Sequence, residues 1–213
     1  GARPGPPATG AHYRQAPSKP ASQYMPKPLA NLHTSNKQMD QKLDMAVKTK
    51  VLVLNNMGLK VVPSRLMKVQ DLRSLDLSGN VLATLPPSMA DLRCLKTLQL
   101  QNNSITDIAP VAMLPHLEHL NVSRNNLTTL PEAFSLCTSL KTLNLSFNSL
   151  VDLPDDCFCG LGSTLRSLDL GRNWLSRLPN STFHLTALQE LSCEQNQLQT
   201  FGEQDSPGGL KGL

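Results

Sequence analysis

The chain has 213 residues, of which 39% are hydrophobic and 17% charged, and a formal net charge of +4 at pH 7. No run of roughly 18 apolar residues occurs, so no transmembrane helix is expected, and no charged start followed by an apolar core marks a secretory signal. Five cysteines, an odd count without cysteine-rich flanks, argue for a reducing compartment and hence a cytoplasmic protein.

Residues 1–39 hold seven of the 16 prolines and five basic residues (Arg3, Arg14, Lys19, Lys27 and Lys37) but no acid, while residues 40–213 carry 15 basic and 16 acidic groups. The net charge therefore sits in a basic, Pro-rich arm that cannot bury a core and is expected to be disordered alone. Within it, Arg14-x-x-Pro17-x-x-Pro20 fits the ligand spacing of SH3-type aromatic grooves. Both tyrosines, Tyr13 and Tyr24, also lie there, and a basic arm with aromatics equally suits RNA or anionic lipid. Residues 40–48 read as a short amphipathic helix that caps whatever follows.

From residue 49 the chain repeats itself. Leu75-Asp76-Leu77-Ser78-Gly79-Asn80 recurs as Leu-x-Leu-x-x-Asn, or its Val and Cys variants, at Leu98, Leu120, Leu143, Leu168 and Leu191. A first copy at Leu52 ends on Met57 instead of Asn. Units beginning at Thr49, Leu72, Leu95, Leu117, Leu140, Leu165 and Leu188 are spaced by 23, 23, 22, 23, 25 and 23 residues. The fourth, sixth, eleventh and fourteenth positions (Leu75, Leu77, Leu82 and Leu85 in the second unit) are apolar in all seven copies, ending with Leu191, Cys193, Leu198 and Phe201. Self-similarity at this period predicts a leucine-rich repeat solenoid of the α/β class, in which each Leu-x-Leu is a short strand of a curved parallel sheet with one face buried. The Asn donates and accepts at the turn where the chain leaves the strand, satisfying backbone groups that would otherwise be orphaned. Met57 forgoes this because no unit precedes it. Pro63, Pro86, Pro131, Pro154 and Pro179 end the extended segment after the fourteenth position. The third unit has Ala109-Pro110 instead, and the fifth carries extra residues around Asp155 to Gly162, making its convex side the most irregular. Residues 49–213 are thus expected to be a repeat domain cut short at its C-terminus, with an open, fraying last unit.

Over Leu72 to Pro179 the pattern Leu-x-x-Leu-x-Leu-x-x-Asn-x-Leu-x-x-Leu-Pro resembles the Ras-group and Scribble/Erbin-type leucine-rich repeats. That resemblance implies a non-enzymatic cytosolic adaptor or scaffold, often near membranes or in signalling assemblies. It says little about the partner, because the class is defined by its buried framework.

The third, fifth and seventh positions should form the concave face. They are mostly small and polar, among them Ser74, Asp76, Ser78, His119, Asn121, Ser123, Asn144 and Ser146, with acids at Asp169, Glu190 and Glu194. This face reads equally as a binding surface or as solvated filler. A stronger cluster stands at the eighth and tenth positions of the fourth to sixth units: Arg124, Phe147, Arg172 and Trp174, the one Trp of the chain. Trp and Arg dominate interface hot spots, whereas Phe147 also suits half-buried packing over the Asn turn. Arg124, Phe147, Arg172 and Trp174, with Asp169, Asn144 and His119, are the predicted partner-binding residues. The second positions give a basic row, Lys50, Arg73, Lys96, Lys141 and Arg166, interrupted by Glu118 and read as a solvated edge. His116-x-x-His119 and Cys157-x-Cys159 lack the second pair that a zinc site needs. No nucleophile–base–acid set and no glycine-rich phosphate loop is legible. The expectation is a non-catalytic protein-interaction scaffold without cofactor or metal. Its rival is a structural subunit of a large ribonucleoprotein or cytoskeletal assembly anchored by the basic arm.

Overall fold

A computed structural model of the chain describes residues 32–199. Arg14, Pro17, Pro20, both tyrosines and Phe201 lie outside that range.

Seven strands of three residues each form one parallel sheet in strictly sequential order. They are β1 (Val51–Val53), β2 (Ser74–Asp76), β3 (Thr97–Gln99), β4 (His119–Asn121), β5 (Thr142–Asn144), β6 (Ser167–Asp169) and β7 (Glu190–Ser192). The pairing aligns Leu52, Leu75, Leu98, Leu120, Leu143, Leu168 and Leu191 in one row, the fourth position of every unit. The solenoid and its repeat register are those expected from the sequence.

The strands are short because the sequence stops them chemically. In β2, β4, β5 and β6 the fifth-position side chain turns back on its own strand end. Asp76, Asn121, Asn144 and Asp169 accept through Oδ1 from the N–H of Ser78, Ser123, Ser146 and Gly171 at 2.9–3.0 Å. The next residue then enters the left-handed region, with φ between 53° and 64° at Asn56, Gly79, Asn102, Arg124, Phe147, Arg172 and Gln195. One residue later the Asn takes over. Asn125 donates to the carbonyls of Leu100 and Val122 at 3.0 Å and accepts from the N–H of Ile105 at 2.9 Å. Asn80, Asn103, Asn148, Asn173 and Asn196 do likewise, so each amide ties its unit to the one before.

Each chain segment then crosses the convex side as a 3₁₀ turn, at Ser64–Lys68, Pro87–Asp91, Val111–Met113, Glu132–Leu136, Cys159–Leu161 and Asn180–His184. The prolines set the start: the N–H groups of Leu66, Met89, Phe134 and Thr182 donate to Pro63, Pro86, Pro131 and Pro179 carbonyls. These turns bury Leu66, Met89, Phe134 and Leu161, while Val69, Leu92, Cys137, Phe158 and Leu185 beside them close the convex core. At ~1.5–3 kcal/mol for each buried aliphatic or Phe side chain, these residues add a second, smaller core to the rows behind the strands.

Three expectations need correction. The capping helix α1 runs from Leu32 to Thr49 rather than over 40–48, so it takes in the last residues of the segment assigned to the arm. Met39, Leu43 and Ala46, spaced as one helical face, bury against the solenoid and carry the helix back across a polar stretch that lacks an apolar period. Lys42 Nζ donates to the Val53 carbonyl at 2.6 Å, and Lys50, at φ 62°, turns the chain into β1. Second, the inward rows hold through the first six units except that Leu59 and Leu178 are only partly buried. In the seventh, Leu191 is 40% exposed and Cys193 and Leu198 are partly buried, because no described unit stacks on that side. Third, the seventh-position serines do not face out: Ser78, Ser123 and Ser146 are buried beneath the strand-end bonds just described, whereas Glu194 of the last unit is exposed.

Candidate functional site

With the seventh-position serines buried and the fifth-position oxygens of β2, β4, β5 and β6 engaged, the middle of the sheet face offers little free chemistry. Asn144 Oδ1 accepts from both the N–H and the Oγ of Ser146, at 2.9 and 2.7 Å. Asp169 Oδ1 holds the Gly171 N–H. His119 Nδ1 lies 3.0 Å from Thr142 Oγ1. These three predicted residues are half-buried and internally bonded.

The rim differs. Arg124, Phe147 and Arg172 occupy the same position of three successive units, and the structure stacks them. The Arg124 guanidinium carbon lies 4.0 Å from the centre of the Phe147 ring, and that of Arg172 lies 4.6 Å from it. Since β5 pairs with β4 on one side and β6 on the other, the ring receives one cation from each neighbouring unit. Each such contact is worth ~0.5–1 kcal/mol at an exposed site. Trp174 follows Arg172 by two residues, its N–H bonded to the Leu150 carbonyl at 2.8 Å and its side chain 48% exposed.

All three stacked residues carry left-handed backbone, with φ of 55°, 55° and 56°. A residue with a Cβ loses ~1–2 kcal/mol there, and only Gly or Asn adopt it readily. The first three units use those types, Asn56, Gly79 and Asn102. In the next three the chain abandons the undemanding residues for Arg, Phe and Arg. The Asn and Gly at this position in the first three units are the sequence signal of its left-handed backbone.

The basic row at the opposite end of the strands is largely self-compensated. Glu118, its side chain 19% exposed, binds Lys96 at 2.7 Å and Lys141 at 2.5 Å. Its hydrogen bonds, first with Lys141 and then with Lys96, pull the carboxyl from an ordinary 4.5 down to about 2. Lys50 pairs with Asp71. On the convex side Arg177 joins Asp155 at 2.5 Å and Asp152 at 3.2 Å, and that bond holds the Asp155 carboxyl below the usual range. Cys157 is buried and Cys159 exposed, so the two thiols do not share a surface; burial pushes Cys157 and Cys137 up to about 12.

The model of the family described as leucine rich repeat matches residues 48–105, 93–150 and 138–198. The chain is a leucine-rich repeat protein. A 44-residue stretch of this leucine-rich repeat chain is 52% identical to the geranylgeranyl transferase type-2 subunit alpha of Homo sapiens and 50% identical to that of Rattus norvegicus. The stretch is 21% of this chain and 8% of those relatives, so it spans less than a tenth of their length. Among solved structures, a chain of a TLR13–ssRNA13 complex superposes on it with a TM-score of 0.60 at 26% identity, over 74% of this chain and 23% of that one.

Proposed function

We propose that this leucine-rich repeat chain is a non-catalytic, cytoplasmic protein-interaction scaffold whose partner docks on the rim of the fourth to sixth units, centred on Trp174 and the Arg124–Phe147–Arg172 stack. The observation that carries the reading is the stack itself: two cations and an aromatic ring held at strained turns where the first three units place Asn or Gly. Such strain is retained where a site needs the side chain. The five free thiols are in keeping with a reducing compartment.

Affinity purification from cells, wild type against Trp174→Ala, tests this. The variant should weaken partner binding by ~2 kcal/mol or more, about thirtyfold in Kd, while Arg73→Ala on the basic row leaves recovery unchanged. Thermal melting of each variant separates loss of contact from loss of fold. Full recovery with folded Trp174→Ala would move the interface elsewhere. Recovery of ribonucleoprotein or cytoskeletal components that depends on residues 1–39 and not on Trp174 would favour the structural-subunit reading, to which the likeness to a chain solved with single-stranded RNA lends its support.

A further inference from the structure

The ion pairs among the described residues join Lys50 to Asp71, Arg65 to Asp40, Lys96 and Lys141 to Glu118, and Arg177 to Asp152 and Asp155. Neither Arg124 nor Arg172 takes part. Both are exposed, and both are pinned through their faces by Phe147. A guanidinium stacked on a ring keeps its N–H donors in its own plane, directed away from the ring axis and free to fork onto a carboxylate. The stack has already restricted the long side chains, so less rotamer freedom is lost when a ligand arrives.

We infer that the rim recognises an acidic peptide segment, one carboxylate on Arg124 and a second on Arg172, with an apolar side chain laid beside them on Trp174. This rests on the reading of the rim as the partner site. The two arginines are two units apart, and strands of neighbouring units lie about 4.8 Å from one another, so the carboxylates need to stand about 10 Å apart. A polyproline II segment brings residues three apart onto one face at about 9 Å. The matching sequence pattern is therefore Glu-x-x-Glu in an extended, Pro-containing frame.

The charge of the surroundings argues against a nucleic acid. Asp169 and Glu194 lie on the last two units at the strand ends that lead to the rim, and the Arg172 N–H bonds the Glu194 carbonyl at 2.8 Å. A phosphodiester chain long enough to span both arginines would run along these acids. A short acidic segment with neutral or basic neighbours meets only the guanidiniums.

Trp174 is the one tryptophan of the chain, so its emission reports this site alone. The full chain would be titrated with a blocked peptide bearing Glu-Pro-Pro-Glu followed by Leu, with its Gln-Pro-Pro-Gln counterpart, and with a short oligouridylate. The expected result is a saturable emission change with the Glu peptide, at least tenfold weaker with the Gln peptide and weakened by added salt. It should be lost in Arg124→Asn/Arg172→Asn, a double variant suited to left-handed backbone because Asn56 and Asn102 already occupy that position. Equal response to the Glu and Gln peptides, no saturation at millimolar peptide, or tighter binding of the oligouridylate would each overturn the inference. Partner recovery separates it from the underlying reading. If recovery falls with Trp174→Ala but not with the Asn double variant, the rim is the site and acid recognition is wrong; if neither variant matters, the rim reading itself fails.

Discussion

Replacing Asn125 by Leu removes a side chain that is 6% exposed and bonded to four backbone groups of two units, of which the Ser123 carbonyl keeps the Asn102 N–H. The lost partners are not equal. The Leu100 carbonyl keeps the Asn103 amide at 2.9 Å, and the Val122 carbonyl keeps that of Asn148 at 3.0 Å. Only the Ile105 N–H, buried and served by Asn125 Oδ1, loses its partner outright. One orphaned buried donor costs ~1–3 kcal/mol, which for a domain of this size lowers Tm by roughly 2–12 °C. Asn80→Leu should cost more, since Asn80 Oδ1 accepts from both Met57 and Leu59 and its amide is the donor to Leu54. Met57→Leu should cost under about 1.5 kcal/mol as a volume-conserving swap. Urea unfolding followed by circular dichroism would rank the three. Equal shifts for Asn125→Leu and Met57→Leu would refute both the register and the accounting by orphaned groups.

Arg172→Asn exchanges a cation–π contact of ~0.5–1 kcal/mol for relief of ~1 kcal/mol of left-handed strain, so Tm should stay within a few degrees while partner binding falls; a large drop in Tm would mean the arginine is structural. Glu118, held at about 2, should remain ionised in a carbon-detected NMR titration well below its ordinary value. Because its folded pKa is depressed, its stabilisation is complete above about 4.5 and disappears as pH falls towards 2, and Glu118→Gln should flatten that part of the acid-unfolding curve. A thiol reagent should modify Cys94 and Cys159 quickly and Cys137 and Cys157 only on unfolding; fast reaction at Cys137 would contradict the convex core.

The strand-side framework was legible because its period is fixed: Leu75, Leu77, Asn80, Leu82 and Leu85 recur with identical spacing. The convex core was not, since the 3₁₀ turns differ in length and fill their buried sites with types as unlike as Leu66, Met89, Phe134 and Thr182. Helix α1 escaped for a related reason, its first turns being written in His, Thr, Ser, Asn and Gln with little apolar pattern. At the rim, residue chemistry pointed to Arg124, Phe147, Arg172 and Trp174, but the sandwich that joins three of them depends on a backbone angle. Asn144, Asp169 and His119 were chosen for exposed polar groups; their bonds to Ser146, Gly171 and Thr142 are visible only once the strand ends are in place.

The strictly sequential sheet has a mechanical consequence. Every strand pairs only with the units immediately before and after it, about 23 residues away along the chain, and α1 closes one end. Tension applied between the two ends would therefore meet no long-range clasp. It should peel the solenoid unit by unit from the β7 side, each release freeing about 80 Å of contour, as a ladder of near-equal steps rather than one rupture. Peeling from that side would release the seventh unit first and then reach the sixth, fifth and fourth, so load would dismantle the rim while the first three units and α1 stay folded.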